Sequence, residues 1–386
     1  MADGDVVVTG LGAVSGLGGS VGALWAGLLA ADRRPDQAPG DYGPGERPPV
    51  YLLDPSAAGR ERASDRSPGR AGQAAVDAVG QALADAGLRP GELTELGLTV
   101  GTTLGDIDLV ENAEPGAAPP GGAYRVSAAV AARHRLWGPN QTLSTACSAG
   151  LYAVIRAWEL IGSGAAEVVV ACGTDSYSRV ALAALDRFGL VDPELCRPFD
   201  AARQGMVTGE GAAAVVLESA AHARRRGAPV HAVLGRAGVS CDGHHPTAPE
   251  PGGAQLGRAI AAALDGAGGP VGAVVPHRAG IAVNDAVETA AIARALGAAA
   301  ATTPVFGIKA VLGHTAGAAG LFACVAAVLM LRHRTVPPNA HVSVPDPDCP
   351  LQLPVGAVLP LVHPRVLVSA TGFGGNNAAL VLEAAR

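Results

Sequence analysis

The residue best suited to nucleophilic chemistry is Cys147, which lies between a predicted strand at residues 141–145 and a predicted helix at residues 151–161. Backbone N–H groups at the start of a helix stabilise negative charge, so we expect the pKa of the Cys147 thiol to fall below the value of about 8.5 of free cysteine. The small residues on both sides of Cys147 leave room for a substrate. The other interpretation is a buried, inert thiol.

Two histidines lie in surroundings that favour catalysis. His314 lies in a glycine-rich segment, residues 313–320, that leads into a predicted helix, and His277 follows an apolar strand at residues 272–276. An imidazole can move a proton or donate a hydrogen bond to a developing negative charge. Taken singly, either histidine also fits a structural role in which its hydrogen bonds are made inside the core.

Lysine occurs once among the 28 basic residues, at position 309. The neighbours of Lys309, Gly-Ile-Lys-Ala-Val-Leu-Gly-His, are too apolar for an ordinary exposed loop, and lysine is a compact charge whose pKa responds to burial. We therefore predict a functional role for Lys309. Near the end of the chain, a Gly-Phe-Gly-Gly turn at residues 372–375 either presents backbone N–H groups to an oxyanion or serves only as a tight strand connection.

The composition excludes several classes of protein. Apolar residues make up 49% of the 386 residues, while the net charge of −6 and the aromatic content of 3% argue against a nucleic-acid groove. We find no signal-peptide pattern, and the longest apolar run, residues 316–331, predicts a buried helix rather than a membrane span. The six cysteines form no zinc-like cluster, so we expect reduced thiols, no metal and a cytoplasmic location.

Strand-like and helix-like segments alternate, which predicts an α/β fold with helices covering sheets. Buried strands are predicted at residues 5–9, 96–101 and 167–171, and helices at residues 21–30 and 71–86. Two short segments recur in the same order: residues 8–15 resemble residues 233–240, and residues 148–151 resemble residues 318–321. This repetition predicts two similar halves with a boundary in the charged segment 220–229.

Five segments, in order, resemble the β-ketoacyl-acyl-carrier-protein synthases, the condensing enzymes of fatty-acid and polyketide assembly. They are VVVTGLGAVSGLG at 6–18, STACSAG at 144–150, CRPFDAARQGMVTGEGAAAVVLE at 196–218, GIKAVLGHTAGAAG at 307–320 and TGFGGNNAALVLE at 371–383. The resemblance covers nearly the whole chain. It implies a thiolase-like fold of five layers, α-β-α-β-α, with one half at residues 1–228 that carries Cys147 and another at residues 229–386 that carries His277, Lys309 and His314.

The resemblance implies a reaction. Cys147 would take an acyl chain from a carrier-protein thioester, and His277 and His314 would assist the decarboxylation of a malonyl unit, whose carbanion then attacks the acyl group. The pathway would be a specialised polyketide or polyene pathway. Two alternatives are an acyltransferase of the same fold that does not decarboxylate, and a non-catalytic subunit that sets chain length in a partner. The presence of Cys147 argues against the second, because such subunits usually lack it.

The resemblance also implies supporting roles. The backbone N–H groups of Cys147 and Phe373 would form an oxyanion hole. Lys309 and Glu210 would form a polar network beside the histidines, and Phe199 and Phe373 would gate the substrate pocket.

The implied partners are an acyl carrier protein, which presents substrates on phosphopantetheine, and a second ketosynthase-like chain. The dimer would be a homodimer or a heterodimer with a related subunit, with the strand at residues 167–171 at its edge. No nucleic acid, membrane or cofactor is expected.

One segment departs from the family pattern. The family usually has His-Gly-Thr-Gly-Thr where this chain has His277, Arg278, Ala279, Gly280 and Ile281. In the family the two threonines help to hold the phosphopantetheine arm, so this chain lacks two hydroxyls there. We predict that Arg278 compensates by binding the pantetheine phosphate or a carrier-protein carboxylate; the other interpretation is a solvated Arg278. The segment between residues 105 and 138 is also shorter than usual for the family.

Overall fold

Strands and helices alternate along the chain in the computed structural model, which describes residues 2–43, 46–53, 68–89, 95–114, 122–266 and 269–385. The strands are β1 Val6–Ser15, β2 Asp36–Gln37, β3 Pro49–Tyr51, β4 Gly97–Gly101, β5 Asn140–Leu143, β6 Val168–Asp175, β7 Thr208–Gly209, β8 Gly211–Ser219, β9 Ala232–Cys241, β10 Ala273–Val275, β11 Thr335–Val336, β12 Leu359–Pro360, β13 Arg365–Gly372 and β14 Asn376–Ala384. The helices are α1 Val21–Ala30, α2 Arg70–Asp85, α3 Ile107–Glu111, α4 Tyr124–His134, α5 Ala149–Gly162, α6 Arg179–Arg187, α7 Ala220–Arg226, α8 Ala254–Leu264, α9 Ala282–Leu296, α10 Lys309–Leu312 and α11 Ala319–His333. Of the segment between residues 105 and 138 whose length departs from the family, residues 115–121 lie outside the described residues.

Nine strands form one mixed sheet in the order β10-β13-β14-β9-β1-β8-β6-β4-β5. Strand β1 lies at the centre and pairs with β8 from Val6 to Ser15. Its pairing with β9 is much shorter and covers only Val6 to Val8. The two halves of the sheet are therefore joined by a short ladder, and they are free to diverge around helices that pack between them.

Side chains alternate between two layers along each long strand, because successive residues of a strand point to opposite faces. In β8, Val215 packs with α5 and α11, whereas Val216 packs with α2 and α4 on the outside. In β14, Leu380 packs with the same central helices, whereas Val381 packs with α8 and α9. Helices thus lie outside each half-sheet and between the two, which confirms the predicted five-layer α/β architecture.

Helix α11 is the most buried element of the central layer. Every residue from Ala319 to Leu331 is buried, as expected for a helix that is apolar on all sides. The segment Ala316–His333 is long and apolar enough to cross a membrane, but 83% of it is buried inside the protein. The prediction of a buried helix at residues 316–331 is confirmed.

The two repeated segments fall on equivalent parts of the fold. Residues 8–15 and 233–240 belong to β1 and β9, and residues 148–151 and 318–321 lie at the starts of α5 and α11. Each of these helices is preceded by one turn of 3-10 helix whose first alanine is left-handed, with φ of 51° at Ala146 and 45° at Ala316. The boundary at residue 228 stays a prediction.

The strand expected at the dimer edge is not an edge strand. Strand β6, which contains most of residues 167–171, pairs with β8 on one side and with β4 on the other. Its backbone groups are therefore used within the chain. Within the described residues, the open edge of this half-sheet is β5, which pairs only with β4.

We predict that Gly150→Ala lowers the free energy of unfolding by about 1–3 kcal/mol, the usual cost of overpacking. A Cβ at Gly150 would lie 2.5 Å from the Gly317 carbonyl oxygen, where α5 passes α11. The control is Gly162→Ala at the other end of α5, where a Cβ meets no atom within 4 Å. Denaturant melts followed by circular dichroism should show a loss only for the first variant; equal midpoints would refute the close helix contact.

Candidate active site

Cys147 lies in the turn of 3-10 helix, Ala146–Ser148, that joins β5 to α5. The left-handed conformation of Ala146 costs a non-glycine residue about 1–2 kcal/mol. The Ser148 hydroxyl donates to the carbonyl oxygen of Thr145 over 2.8 Å and holds the turn. The resulting bend brings Cys147 to the wall of a cavity.

A second turn, Phe373–Gly375, connects β13 to β14 beside the cysteine. The backbone N–H groups of Phe373 and of Cys147 itself both act on the Cys147 sulfur and favour its thiolate form. The close approach requires glycine before Phe373, because a Cβ at Gly372 would lie 2.7 Å from the Thr145 carbonyl oxygen. Two N–H groups that converge on one point have the geometry of an oxyanion hole.

His277 follows β10 and His314 follows α10, and both line the same cavity as Cys147. Their ring centroids are 5.1 Å apart and the ring planes meet at 85°. Gly313 sets the position of His314: its φ is 68°, and a Cβ there would lie 2.7 Å from the Thr208 carbonyl oxygen. The fold thus brings a thiol and two imidazoles together from both halves of the chain.

Lys309 is buried at the start of α10, and its Nζ donates a hydrogen bond to the carbonyl oxygen of His277. Burial lowers the pKa of Lys309, and the negative charge of Glu288 opposes that shift. Burial also holds the pKa values of His277 and His314 well below their usual range, and the charge of Lys309 lowers both further. Both imidazoles are therefore neutral at pH 7, and each keeps one N–H to donate.

The thiol of Cys147 does not have the lowered pKa that its position at a helix start suggested. Burial raises the pKa of Cys147 to about 11, although the charge of Lys309 and the two N–H groups oppose the rise. That expectation is therefore wrong, because desolvation of the thiolate outweighs the favourable backbone field. A neutral imidazole on the same cavity is a suitable acceptor for the thiol proton.

Glu288, rather than Glu210, is the carboxylate beside the histidine loop. Its Oε1 accepts the N–H of His277 over 2.8 Å, and its Oε2 accepts that of the next residue over 2.7 Å. Glu210 instead pairs with Arg70 at 2.5 Å and accepts N–H groups from two other segments. The predicted network of Lys309 with Glu210 is therefore replaced by one of Lys309 with Glu288.

Phe199 and Arg278 do not line the cavity, contrary to prediction. Arg278 is 2% exposed, lies 4.5 Å above the Phe199 ring and pairs with Asp346 at 2.5 Å. A guanidinium held in this way reaches neither solvent nor a pantetheine phosphate, so both interpretations of Arg278 are wrong. Phe199 packs in the core against Gly307, and Met206 lines the cavity instead.

The cavity that Cys147 lines has a volume of about 290 Å³. One wall is apolar and is formed by α6, with Ala181, Leu182 and Leu185, and by Phe188 after it. The other predicted substrate-binding residues do line the cavity: they are Phe373, Ala279 and Ile281. Within the described part of the chain, no group of three His, Cys, Asp or Glu side chains is arranged to hold a metal.

Asp175, at the end of β6, is a site residue that sequence analysis missed. Its buried carboxylate accepts the N–H groups of Thr103 at 2.8 Å, Leu104 at 2.9 Å and Gly317 at 2.6 Å. It thereby ties the end of β4 to the turn before α11, on both sides of the catalytic cavity. The one signal in the sequence was an aspartate at the end of an apolar strand, which does not tell what the carboxylate binds.

We predict that alkylation of Cys147 by iodoacetamide accelerates about tenfold per pH unit between pH 7 and 9, because the pH stays below a thiol pKa of about 11. Peptide mass spectrometry separates Cys147 from Cys241, which is exposed. A Cys241→Ser background removes that competing thiol. A rate that levels off between pH 7 and 8 would contradict the raised pKa.

Both parts of the chain match models of one protein family. Residues 3–223 match the N-terminal domain of beta-ketoacyl synthase, and residues 231–343 match its C-terminal domain. The five motifs that carry the family resemblance include the turns of Cys147, His314 and Phe373.

Relatives of known name and structure resemble the chain over nearly its whole length. It is 33% identical over 415 residues to the tetracenomycin polyketide synthase ketoacyl synthase alpha subunit of Streptomyces glaucescens, covering 98% of this chain and 96% of the relative. It is 32% identical over 417 residues to the 3-oxoacyl-[acyl-carrier-protein] synthase 2 of Synechocystis sp., covering 98% and 97%.

A solved structure also resembles the chain over nearly its whole length. A chain of the ishigamide ketosynthase/chain length factor superposes with a TM-score of 0.89 at 35% identity, covering 99% of each chain. This likeness confirms the thiolase-like fold that the sequence implied. The chain belongs to the beta-ketoacyl synthase family and is a condensing acyltransferase.

Proposed function

We propose that this chain extends a polyketide or polyene by decarboxylative Claisen condensation of malonyl units that an acyl carrier protein delivers. The observation that carries this proposal is that Cys147, His277 and His314 line one cavity, with Lys309 bonded to the back of the histidine loop. Neutral imidazoles, a thiol on the cavity wall and converging N–H groups suit this reaction, and each step below uses only those groups.

In the first step, the Cys147 sulfur attacks the carbonyl carbon of an acyl thioester. The thiol proton passes to a cavity imidazole and then to the departing pantetheine sulfur, so that the C–S bond to the carrier breaks as the new C–S bond forms. The N–H groups of Cys147 and Phe373 hold the oxyanion of the tetrahedral intermediate. A thioester on cysteine keeps the acyl group reactive.

In the second step, a malonyl thioester occupies the site beside the histidines. Its C–C bond to the carboxylate breaks, carbon dioxide leaves, and the electron pair is delocalised onto the thioester oxygen as an enolate. His277 and His314 each donate a hydrogen bond from a ring N–H group to that oxygen. Because both imidazoles are neutral, they donate without first taking up a proton.

In the third step, the enolate carbon attacks the acyl-Cys147 carbonyl carbon. The new C–C bond forms, the C–S bond to Cys147 breaks, and the product remains on the carrier as a β-ketoacyl thioester. The same two N–H groups bind the second oxyanion, and the Cys147 thiolate that leaves takes a proton from water. One cavity therefore supports all three steps.

We infer two partners for this reaction. The acyl carrier protein follows from the name of the Synechocystis relative, an acyl-carrier-protein synthase, and a second ketosynthase-like chain follows from the ishigamide ketosynthase/chain length factor. Strand β5 supports the second partner, since it is an open edge in the described structure. The exposed side chain of Trp137, 61% accessible, lies just before this strand. The measured composition of the dimer distinguishes an identical second chain from a related one.

The first experiment incubates the purified protein with a carrier protein that holds labelled malonyl and a carrier protein that holds an acyl chain. Carbon dioxide release with a new C–C bond supports condensation. Acyl transfer without release identifies the acyltransferase alternative, and absence of both identifies the non-catalytic subunit that sets chain length in a partner. Release with no elongated product would reject the proposal.

We predict that His277→Ala and His314→Ala each reduce carbon dioxide release about a hundredfold or more, the usual loss when one transition-state donor is removed. Acyl loading of Cys147 should persist, because either remaining imidazole can accept the thiol proton. Loading is measured by intact-protein mass spectrometry and release by trapped label. Elongation by both variants at the wild-type rate would exclude the histidines from the reaction.

A further inference from the structure

Four charged side chains form a buried cluster behind the loop that carries His277. They are Arg203, Arg278, Asp285 and Asp346, none with a side chain more than 9% exposed. Asp346 lies 2.5 Å from Arg278 and 2.9 Å from Arg203, and Asp285 lies 3.2 Å from Arg203 and 3.5 Å from Arg278. Each arginine therefore meets both aspartates, and the formal charges cancel.

The cluster also holds the histidine loop through its backbone. Asp285 accepts the N–H groups of Ala279 at 3.1 Å and Gly280 at 3.3 Å. The Arg278 guanidinium donates to the Pro198 carbonyl oxygen over 2.7 Å and to the Thr289 hydroxyl. The loop is thus tied to α9 and to the segment before Arg203.

We propose that Arg278 is a positioning residue for the condensing reaction. Arg278 completes a charge-balanced cluster that fixes the His277 loop. The inference rests on the proposed function, because it concerns the same site. The forked guanidinium suits this role, since it bonds a carboxylate, a carbonyl and a hydroxyl in different directions at once. It also explains why an arginine can stand where the family has glycine: its charge and its hydrogen bonds are satisfied inside the protein.

The charge of Arg278 matters to its neighbours. Burial raises the pKa of Asp285 to about 7, and the charge of Arg278 is the leading effect that opposes the rise. Without Arg278, one carboxylate is left in excess, so either Asp285 stays protonated to a higher pH or nearby basic groups hold their protons more tightly. Both changes move the acid limb of the reaction's pH profile to higher pH.

Other charged and titratable groups act on the same loop from every side. They are Lys309 from α10, His314 after α10, Glu288 from α9, and Cys147 and Cys196, whose charges act on Lys309. None of them changes in the variants proposed below, so a shift between variants reports the cluster.

The experiment compares Arg278→Met, Asp346→Asn and the double variant. For Arg278→Met we expect kcat for carbon dioxide release at pH 7 to fall about tenfold or more, with KM changed by less than about twofold. We expect the acid limb of its pH profile, which follows protonation of the two histidines, to move to higher pH by about half a pH unit or more. Asp346→Asn should move the limb down, and the double variant should return it to the wild-type position.

Two further variants separate positioning from simple destabilisation. Arg278→Lys keeps the charge without the fork, so we expect an unshifted limb with a reduced kcat. Arg226→Met is the matched control, because Arg226 pairs with the buried Glu218 and neither residue lines the cavity; it should lower thermal stability without moving the limb. If Arg278→Met does not fold, the opposite shift of Asp346→Asn and the behaviour of Arg278→Lys decide the question.

The proposal is overturned if Arg278→Met keeps the wild-type kcat and limb, or if Arg278→Met and Asp346→Asn shift the limb in the same direction. Carbon dioxide release by the wild type tests the proposed function separately. If the wild type releases none, the same comparison is made on the ring resonance of His277 by NMR, assigned with His277→Asn. Its pKa should rise in Arg278→Met and fall in Asp346→Asn, and equal values in all variants would refute the positioning role.

Discussion

The active site depends on one buried charge, the ammonium group of Lys309. A buried cation costs several kcal/mol unless its surroundings compensate. Here the His277 carbonyl oxygen accepts a hydrogen bond from it, and Glu288 supplies negative potential. In return, the charge of Lys309 disfavours protonation of both histidines and favours the thiolate of Cys147. Burial is the larger effect on the two histidines, and the charge of the single lysine of the chain adds to it.

The two-half architecture brings these groups together. Each half contributes a central helix that starts after a left-handed alanine, Ala146 or Ala316, and the two helices meet through glycine contacts too close for a side chain. The Cys147 turn precedes one helix, and the His314 segment precedes the other. Asp175 then joins the turn before α11 to the end of β4. Strain in the two turns is tolerated because the surrounding core fixes them.

The sequence predicted what local pattern determines. Helix α1 was predicted at its observed bounds, and α2 within one residue, because alanine-rich periodic segments specify helices by themselves. The sequence did not predict properties that depend on distant residues. Asp346 sets the direction of the Arg278 side chain, and chain packing places Glu288 rather than Glu210 beside the histidine loop. Burial raises the pKa of Cys147, and the neighbours of Cys147 in the sequence do not reveal that burial. The edge of the half-sheet likewise depends on strand order.

The most direct test of this account is the pH profile of carbon dioxide release by Lys309→Met, compared with the wild type and with Lys309→Arg. Methionine removes the charge at similar length, so the pKa values of His277 and His314 should rise and the acid limb should move up by about one pH unit or more. Arginine keeps the charge in a bulkier shape, so kcat should fall while the limb stays in place. An acid limb in Lys309→Met that coincides with that of the wild type would contradict the claim that this buried charge, in addition to burial, lowers the pKa values of the two histidines.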